Sequence, residues 1–299
     1  MTRRPLGGVY AAAVTPVRTD GSPDPDAVPA LLSFLASRGC HGALILGTTG
    51  EGPSFSPAER EGLWRAALRI REEVPAFQLL AGTGTPSLSE SVDLTRLAFR
   101  LGFDGVVTVP PYYFRSASVE GLFEWFRRLI EQAVPQDGTL LAYHFPAVAG
   151  VGFSLGLLER LKDAFPRQFA GIKDSSHDEA FARDLGHKFG SDLAVFNGTD
   201  SMFSLALQNH AAGCITAAAN AISPLLRDVY DLANQGLDFS AAQTSVTRYR
   251  RALEECPPFP AGLKALLHRL HGFPQWPVRP PLMALTQEQE DRLVSAFDA

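Results

Sequence analysis

Four lysines are spread over the 299 residues, and one stands where a lysine can become a nucleophile. Lys173 closes the apolar run Phe169-Ala170-Gly171-Ile172 and is followed by the small polar residues Asp174-Ser175-Ser176. The run reads as a buried strand with an amine at its tip. Lys162, Lys188 and Lys264 fall instead in stretches of helical period. Apolar surroundings disfavour the ammonium form, so a desolvated lysine can present a neutral amine to a ketone and form a Schiff base. A strand-end lysine can also carry its charge out to water along its own stem. Its partners in the sequence decide between the two.

Three further groups offer such partners. Gly47-Thr48-Thr49-Gly50-Glu51-Gly52-Pro53 follows an apolar run, and two hydroxyls between glycines, with free backbone N–H groups, suit a small carboxylate. An ordinary turn using glycine for its backbone angles has the same composition. The segment lacks the G-K-[ST] ending of a phosphate loop and is not a G-x-S-x-G elbow. Val109-Pro110-Pro111-Tyr112-Tyr113 and Tyr143-His144-Phe145-Pro146 end two more apolar runs. Aromatics there commonly serve packing, yet a phenol bonded to another hydroxyl can pass protons onto and off a carbinolamine. His144 follows Tyr143 on a strand, so its side chain should face the opposite way. Asp174 and Asp200 read as loop and helix-start residues. His268 and His271 are three apart without an acidic partner at ligand spacing, so no metal is expected.

The elements that would hold these groups alternate. Strands are expected at Gly8 to Val14, Ala43 to Leu46, Phe77 to Ala81, Gly105 to Val109, Thr139 to His144, Phe169 to Lys173, Leu193 to Asn197 and Gly213 to Thr216. Between them lie helical segments with starts at Asp24-Pro25, Ser56 with Glu59, Pro86 with Glu90, Ser118 and Ser154. From Ser118 to Ala133, Val119, Leu122, Phe123, Phe126, Leu129 and Ile130 share one face. Eight strand-then-helix units at intervals of about thirty residues predict an α/β fold, a (β/α)8 TIM barrel. A doubly wound sheet is disfavoured, because no early strand runs into G-x-G-x-x-G. The barrel domain is expected over residues 1–236, and a C-terminal helical extension over 237–299, with breaks at Pro257-Pro258, Pro260 and Pro274 to Pro281. In such barrels the reacting groups stand at the C-terminal ends of strands, where Lys173, Tyr143 and Thr48-Thr49 all fall.

Composition narrows the ligand. A chain that is 45% apolar can bury roughly 75% of its unfolded surface in one core. The net charge of −5, with no basic run interleaved with aromatics, argues against nucleic acid. No stretch approaches the length of a membrane helix. Cys40, Cys214 and Cys256 show neither a C-x-x-C pair nor a disulfide framework, which fits a soluble protein of a reducing, cytoplasmic compartment. Arg3-Arg4 ahead of Leu6 to Val14 mismatches an export signal, because that run holds two glycines.

The motifs together resemble the pyruvate-dependent class I aldolases, the family of dihydrodipicolinate synthase and N-acetylneuraminate lyase. The resemblance spans Gly8 to about Leu282 and covers Gly47-Thr48-Thr49-Gly50-Glu51, Pro111-Tyr112-Tyr113, Tyr143 to Pro146, Gly171-Ile172-Lys173-Asp174-Ser175, Asn197-Gly198-Thr199-Asp200 and Arg279-Pro280-Pro281-Leu282. It implies that Lys173 is the Schiff-base lysine and Tyr143 the proton-moving phenol. Thr48 and Thr49 would cradle the carboxylate of pyruvate or another 2-oxo acid, with Thr49 also linking Tyr143 to Tyr113. Tyr113 would reach into the neighbouring subunit of a homodimer or homotetramer, and Gly198 and Ile215 would line the substrate through backbone atoms. No cofactor is implied.

The departure is Val148. The lysine-pathway synthase has an arginine five residues after the strand-five tyrosine, where it binds the acceptor's carboxylate. Losing such a bond costs about 1.5–3 kcal/mol, or roughly ten- to a hundred-fold. Arg115 could compensate, although loop arginines are more often exposed. Gly52-Pro53-Ser54 and Ala147-Val148-Ala149 look more like a 2-keto-3-deoxy sugar-acid aldolase, acting for example on 2-keto-3-deoxygluconate. The alternatives are 4-hydroxy-tetrahydrodipicolinate synthase and a non-catalytic barrel that binds 2-oxo acids.

Overall fold

A computed structural model describes residues 5–298, so Arg3-Arg4 lie outside the described residues. Eight parallel strands close into a barrel in chain order. They are Gly8–Ala12 (β1), Gly42–Ile45 (β2), Gln78–Gly82 (β3), Gly105–Thr108 (β4), Leu140–His144 (β5), Phe169–Asp174 (β6), Ala194–Asn197 (β7) and Gly213–Thr216 (β8). Helices alternate with them, which makes the fold a (β/α)8 barrel. By contacts the chain divides into two units: the residues up to Gly8 with Gln78–Cys214, and Val9–Phe77 with the chain from Ile215 onward.

In the first unit β3 to β7 pair successively, and β7 pairs with the start of β8 through Phe196↔Gly213 and Asn197↔Cys214. The strands are buried on both faces, as continuous Val/Ile/Leu-rich runs must be when helices cover them. The helices start where side-chain oxygens can take an orphan N–H. Ser118 accepts from Gly121 N and Ser154 from Leu157 N, each cap stabilising its helix by about 1 kcal/mol. Helix Leu88–Leu101 is capped by Ser87, whose hydroxyl accepts from Glu90 N, so the start expected at Pro86 lies one residue further on. Helix Val119–Ala133 buries Leu122, Phe126, Leu129 and Ile130 as its period requires. Val119 differs: at the first helical position it is exposed, and Phe123 lies half-buried under the Arg160 guanidinium at 4.3 Å.

The second unit holds the β1–β2 pair, with Tyr10 opposite Gly42. Past Ala12 the edge is sealed by Asn220, whose Oδ1 accepts from Val14 N at 3.0 Å and whose Nδ2 donates to Ala12 O at 2.8 Å. Asn220 opens helix Ala219–Asn234, which kinks at Ile222 ahead of Pro224, where proline removes a backbone donor. Helices Ser240–Glu254, Phe259–His271 and Gln287–Asp298 follow. They bury Leu253, Leu263, Leu266, Leu267 and Leu293 among their core residues. Pro260 is no break: it sits in the first turn of Phe259–His271, where its missing N–H is harmless.

Candidate active site

Lys173 and Tyr143 are register partners on neighbouring strands, so their side chains leave the same face of the sheet. The Lys173 Nζ stands 4.2 Å from the centroid of the Tyr143 ring. Lys173 is only 3% exposed. The other three lysines each hold a carboxylate: Lys162 with Asp192 at 2.7 Å, Lys188 with Glu159 at 2.9 Å, and Lys264 with Glu51 at 2.5 Å. The Lys173 side chain has no ion pair or hydrogen bond among the described residues. Among the described residues, no carboxylate stands against Lys173 to engage its amine.

One residue further along each strand, the chemistry is structural. His144 faces away from Tyr143, stacked on Phe181 at 4.5 Å, and its Nδ1 accepts from Phe153 N at 2.9 Å. That bond places the ring proton on Nε2, and burial pushes the imidazole down to about 4. Burial pushes the Asp174 carboxyl up, while its Oδ1 accepts from Ser176 N at 3.0 Å to close the turn after β6. Gly198 N donates to Asp174 O at 2.6 Å. A side chain at Gly198 would fall on Ser175 Oγ, so glycine lets the two strand tips meet. Lys173, Tyr143 and Gly198 are thus gathered at the C-terminal ends of β5 to β7.

Thr48 and Thr49 belong to the second unit, in the turn after β2. Thr48 is exposed and Thr49 buried. The turn is tight: Gly52 N donates to Gly47 O at 3.0 Å and Glu51 N to Thr48 O at 3.0 Å. A Cβ on Gly50 would come within 2.7 Å of Ala13 O, and Thr15 Oγ1 donates to Gly50 O at 2.6 Å. Leu46 and Glu51, which bracket the threonines, both adopt positive φ, 59° and 56°. Backbone strain of this kind in non-glycine residues concentrates at functional sites. Ile215 is fully buried on β8.

Tyr113, in the loop after β4, is 76% exposed and packs edge-on against Phe114, itself 67% exposed, at 5.3 Å. Val148 is 47% exposed on the short helix Pro146–Ala149. Two residues beyond it Gly150 has φ 71°, and a Cβ there would come within 2.5 Å of Arg115 Cγ, so the Arg115 stem lies over the end of that helix. The two histidines on helix Phe259–His271 each have a neighbour in the fold. His268 Nδ1 meets Phe273 O at 2.7 Å, and His271 stacks on Phe34 at 4.8 Å.

The model of the dihydrodipicolinate synthetase family matches residues 5–299. The chain belongs to this family. Its members are class I pyruvate-dependent lyases and aldolases, and the chain is an enzyme of that class. It is 36% identical over 292 residues to an uncharacterized DapA-like lyase of Chloroflexus aurantiacus, covering 97% of this chain and 96% of that one. It is 31% identical to the 4-hydroxy-tetrahydrodipicolinate synthase of Prochlorococcus marinus, over 99% and 95% of the two chains. The crystal structure of dihydrodipicolinate synthase from Agrobacterium tumefaciens superposes with a TM-score of 0.89 at 29% identity, covering 98% and 99%.

The family motifs contain Glu51 and Arg279 but did not reveal that these side chains, together with Lys264, brace the Thr48-Thr49 turn of this dihydrodipicolinate synthetase-family enzyme. Glu51 is fully buried against Lys264, and Arg279 donates to Ser54 O at 2.7 Å and binds Glu59. A sign was present: Lys264 interrupts the apolar run Gly262-Leu263-Ala265-Leu266-Leu267, where a lone charge needs a buried partner.

Proposed function

We propose that this enzyme is a 2-keto-3-deoxy sugar-acid aldolase that works through a Schiff base on Lys173. The observation that carries the reading is that Lys173, buried beside the Tyr143 ring, is the one lysine without a carboxylate partner among the described residues. Its amine lone pair adds to the C2 carbonyl of the keto acid. The carbinolamine then loses water as Tyr143 delivers a proton to the departing hydroxyl. The resulting iminium draws electrons from the C3–C4 bond. As the C4 hydroxyl gives up its proton, that bond breaks, an aldehyde leaves and an enamine remains. Protonation at C3 and hydrolysis of the imine return pyruvate and the free amine, and condensation is the same sequence reversed.

Thr48 and Thr49 hold the substrate carboxylate in this reading, and Gly198 and Ile215 line the substrate through backbone atoms. Thr49 joins Tyr143 to a Tyr113 supplied by the neighbouring subunit of a homodimer or homotetramer in the cytoplasm. The exposure of the Tyr113–Phe114 pair on a single chain supports that arrangement. Val148 supports the sugar-acid substrate, since an apolar side chain cannot hold a second carboxylate.

A second reading, 4-hydroxy-tetrahydrodipicolinate synthase, draws on Arg115, whose stem lies over Gly150, two residues beyond Val148. Pyruvate release from 2-keto-3-deoxygluconate and related acids, compared as kcat/KM with condensation of pyruvate and aspartate semialdehyde, separates the two. Cleavage is expected to dominate. A preference for aspartate semialdehyde that Arg115→Ala abolishes would establish the second reading instead.

A further inference from the structure

Glu51 closes the Thr48-Thr49 turn in the left-handed conformation, φ 56° and ψ 27°, where glycine or asparagine would sit at least cost. A glutamate is held there by its own carboxylate. Its Oε1 takes the Lys264 ammonium, 2.5 Å away, and its Oε2 takes Arg279 N at 2.7 Å. Both members of the ion pair are 2% exposed. Lys264 also donates to Pro277 O at 2.7 Å. The rest of the turn is gripped in the same way. Arg279 donates to Ser54 O at 2.7 Å, to Gly21 O at 2.8 Å and to Glu59. Arg60 donates to Gly52 O at 2.7 Å and to Phe55 O at 3.1 Å. The charges that lock this turn therefore come largely from beyond the barrel strands, from helix Phe259–His271 and the proline-rich segment after it.

We propose that Lys264 is a positioning residue: by neutralising Glu51 inside the fold it fixes the strained turn that presents Thr48 and Thr49, so the C-terminal helices set the affinity for the 2-oxo acid. The inference rests on the reading of Thr48-Thr49 as the carboxylate cradle and of Lys173 as the nucleophile. It gives the C-terminal segment a part in substrate binding rather than in stability alone. Removing one partner of a buried pair strands the other charge, whereas replacing both by neutral groups of similar size leaves the interior satisfied. A neutral pair would no longer force Glu51's backbone into the left-handed well, and Thr48 and Thr49 would sample other positions.

The test is borohydride trapping of pyruvate on the full chain, read as the pyruvate concentration giving half-maximal labelling and as the labelling rate at saturation. The double variant Glu51→Gln/Lys264→Met keeps an amide oxygen for Arg279 N and leaves no buried charge. Half-saturation is expected to rise by about ten-fold or more, the scale of losing well-placed hydrogen bonds to a charged group. The saturating rate should stay within about two-fold, a split that a general loss of folded protein does not produce. Unchanged half-saturation, or a saturating rate that falls in step with it, overturns the positioning role. Arg279→Gln, which loosens Ser54 and Glu59 from a half-buried site, reads the same quantity if the double variant does not fold, and an unchanged value there is equally fatal. Absence of labelling in the wild-type protein contradicts the Schiff-base reading itself, so the two failures are distinct.

Discussion

Tyr143 and Lys173 face each other across the β5–β6 pair, ring centroid and Nζ 4.2 Å apart, as direct register partners. The amine lies over the face of the ring, so the two groups adjoin at the ends of their strands. Tyr143→Phe keeps the packing and removes the proton carrier. Its kcat is expected to fall by roughly 10²- to 10⁴-fold, the span of a single general acid–base group. KM should change little, and steady-state kinetics with a cleavable sugar acid checks both. A variant within a few-fold of wild-type kcat would show that another group moves the proton.

Acid should weaken the fold in two stages. In the folded chain His144 is held neutral down to about 4 by burial, against an ordinary value near 6.5. Between those values the unfolded chain binds a proton that the folded chain refuses, so stability falls as pH falls through the window and is flat above it. The shift corresponds to as much as about 3 kcal/mol. From the acid end of that window downward Glu59, held down to about 2 by the Arg279 guanidinium, loses that partner as it is protonated, and stability drops further from about 4.5. Urea midpoints measured from pH 7.5 to 4 should slope downward only below about 6.5 in the wild type. His144→Gln, whose amide oxygen can accept from Phe153 N, should flatten that slope. An unchanged slope in the variant would assign the acid sensitivity elsewhere.

What was legible in the sequence follows from period and punctuation. All eight strands were readable because each is a short apolar run stopped by small polar residues, and the structure places each within about two residues of the expected span. Capping oxygens at Ser118 and Ser154 announced two helices correctly, while Pro86 was a decoy beside the true cap, Ser87. The facing of Lys173 and Tyr143 followed from their places at strand ends. The ion pair between Glu51 and Lys264 did not, since its members are separated by most of the chain and no local pattern links one to the other. Only packing of the C-terminal helices brings a lysine from one apolar run against a glutamate in a glycine-rich turn. The exposure of Val119 was hidden for a related reason: periodicity assigns a face, but not how far the neighbouring surface extends past the first turn.

The Tyr113–Phe114 pair is an exposed apolar surface on the single chain, the kind of surface the proposed neighbouring subunit would cover. If Tyr113 serves a neighbouring subunit, inactive Tyr113→Phe and inactive Lys173→Ala chains should complement, because a mixed dimer holds one site with both residues intact. Co-refolded mixtures are expected to recover pyruvate release that neither parent shows. Verified mixed dimers without activity would place both residues' roles within a single chain.

The most direct measurement is the mass of the peptide carrying the reduced adduct. Borohydride added with pyruvate should fix a single three-carbon 2-oxo acid, as its reduced secondary amine, on Lys173. Lys173→Arg should abolish the adduct, since a guanidinium stays protonated and cannot add to the ketone. An adduct on Lys162, Lys188 or Lys264, or persistent labelling of the arginine variant, would contradict the account.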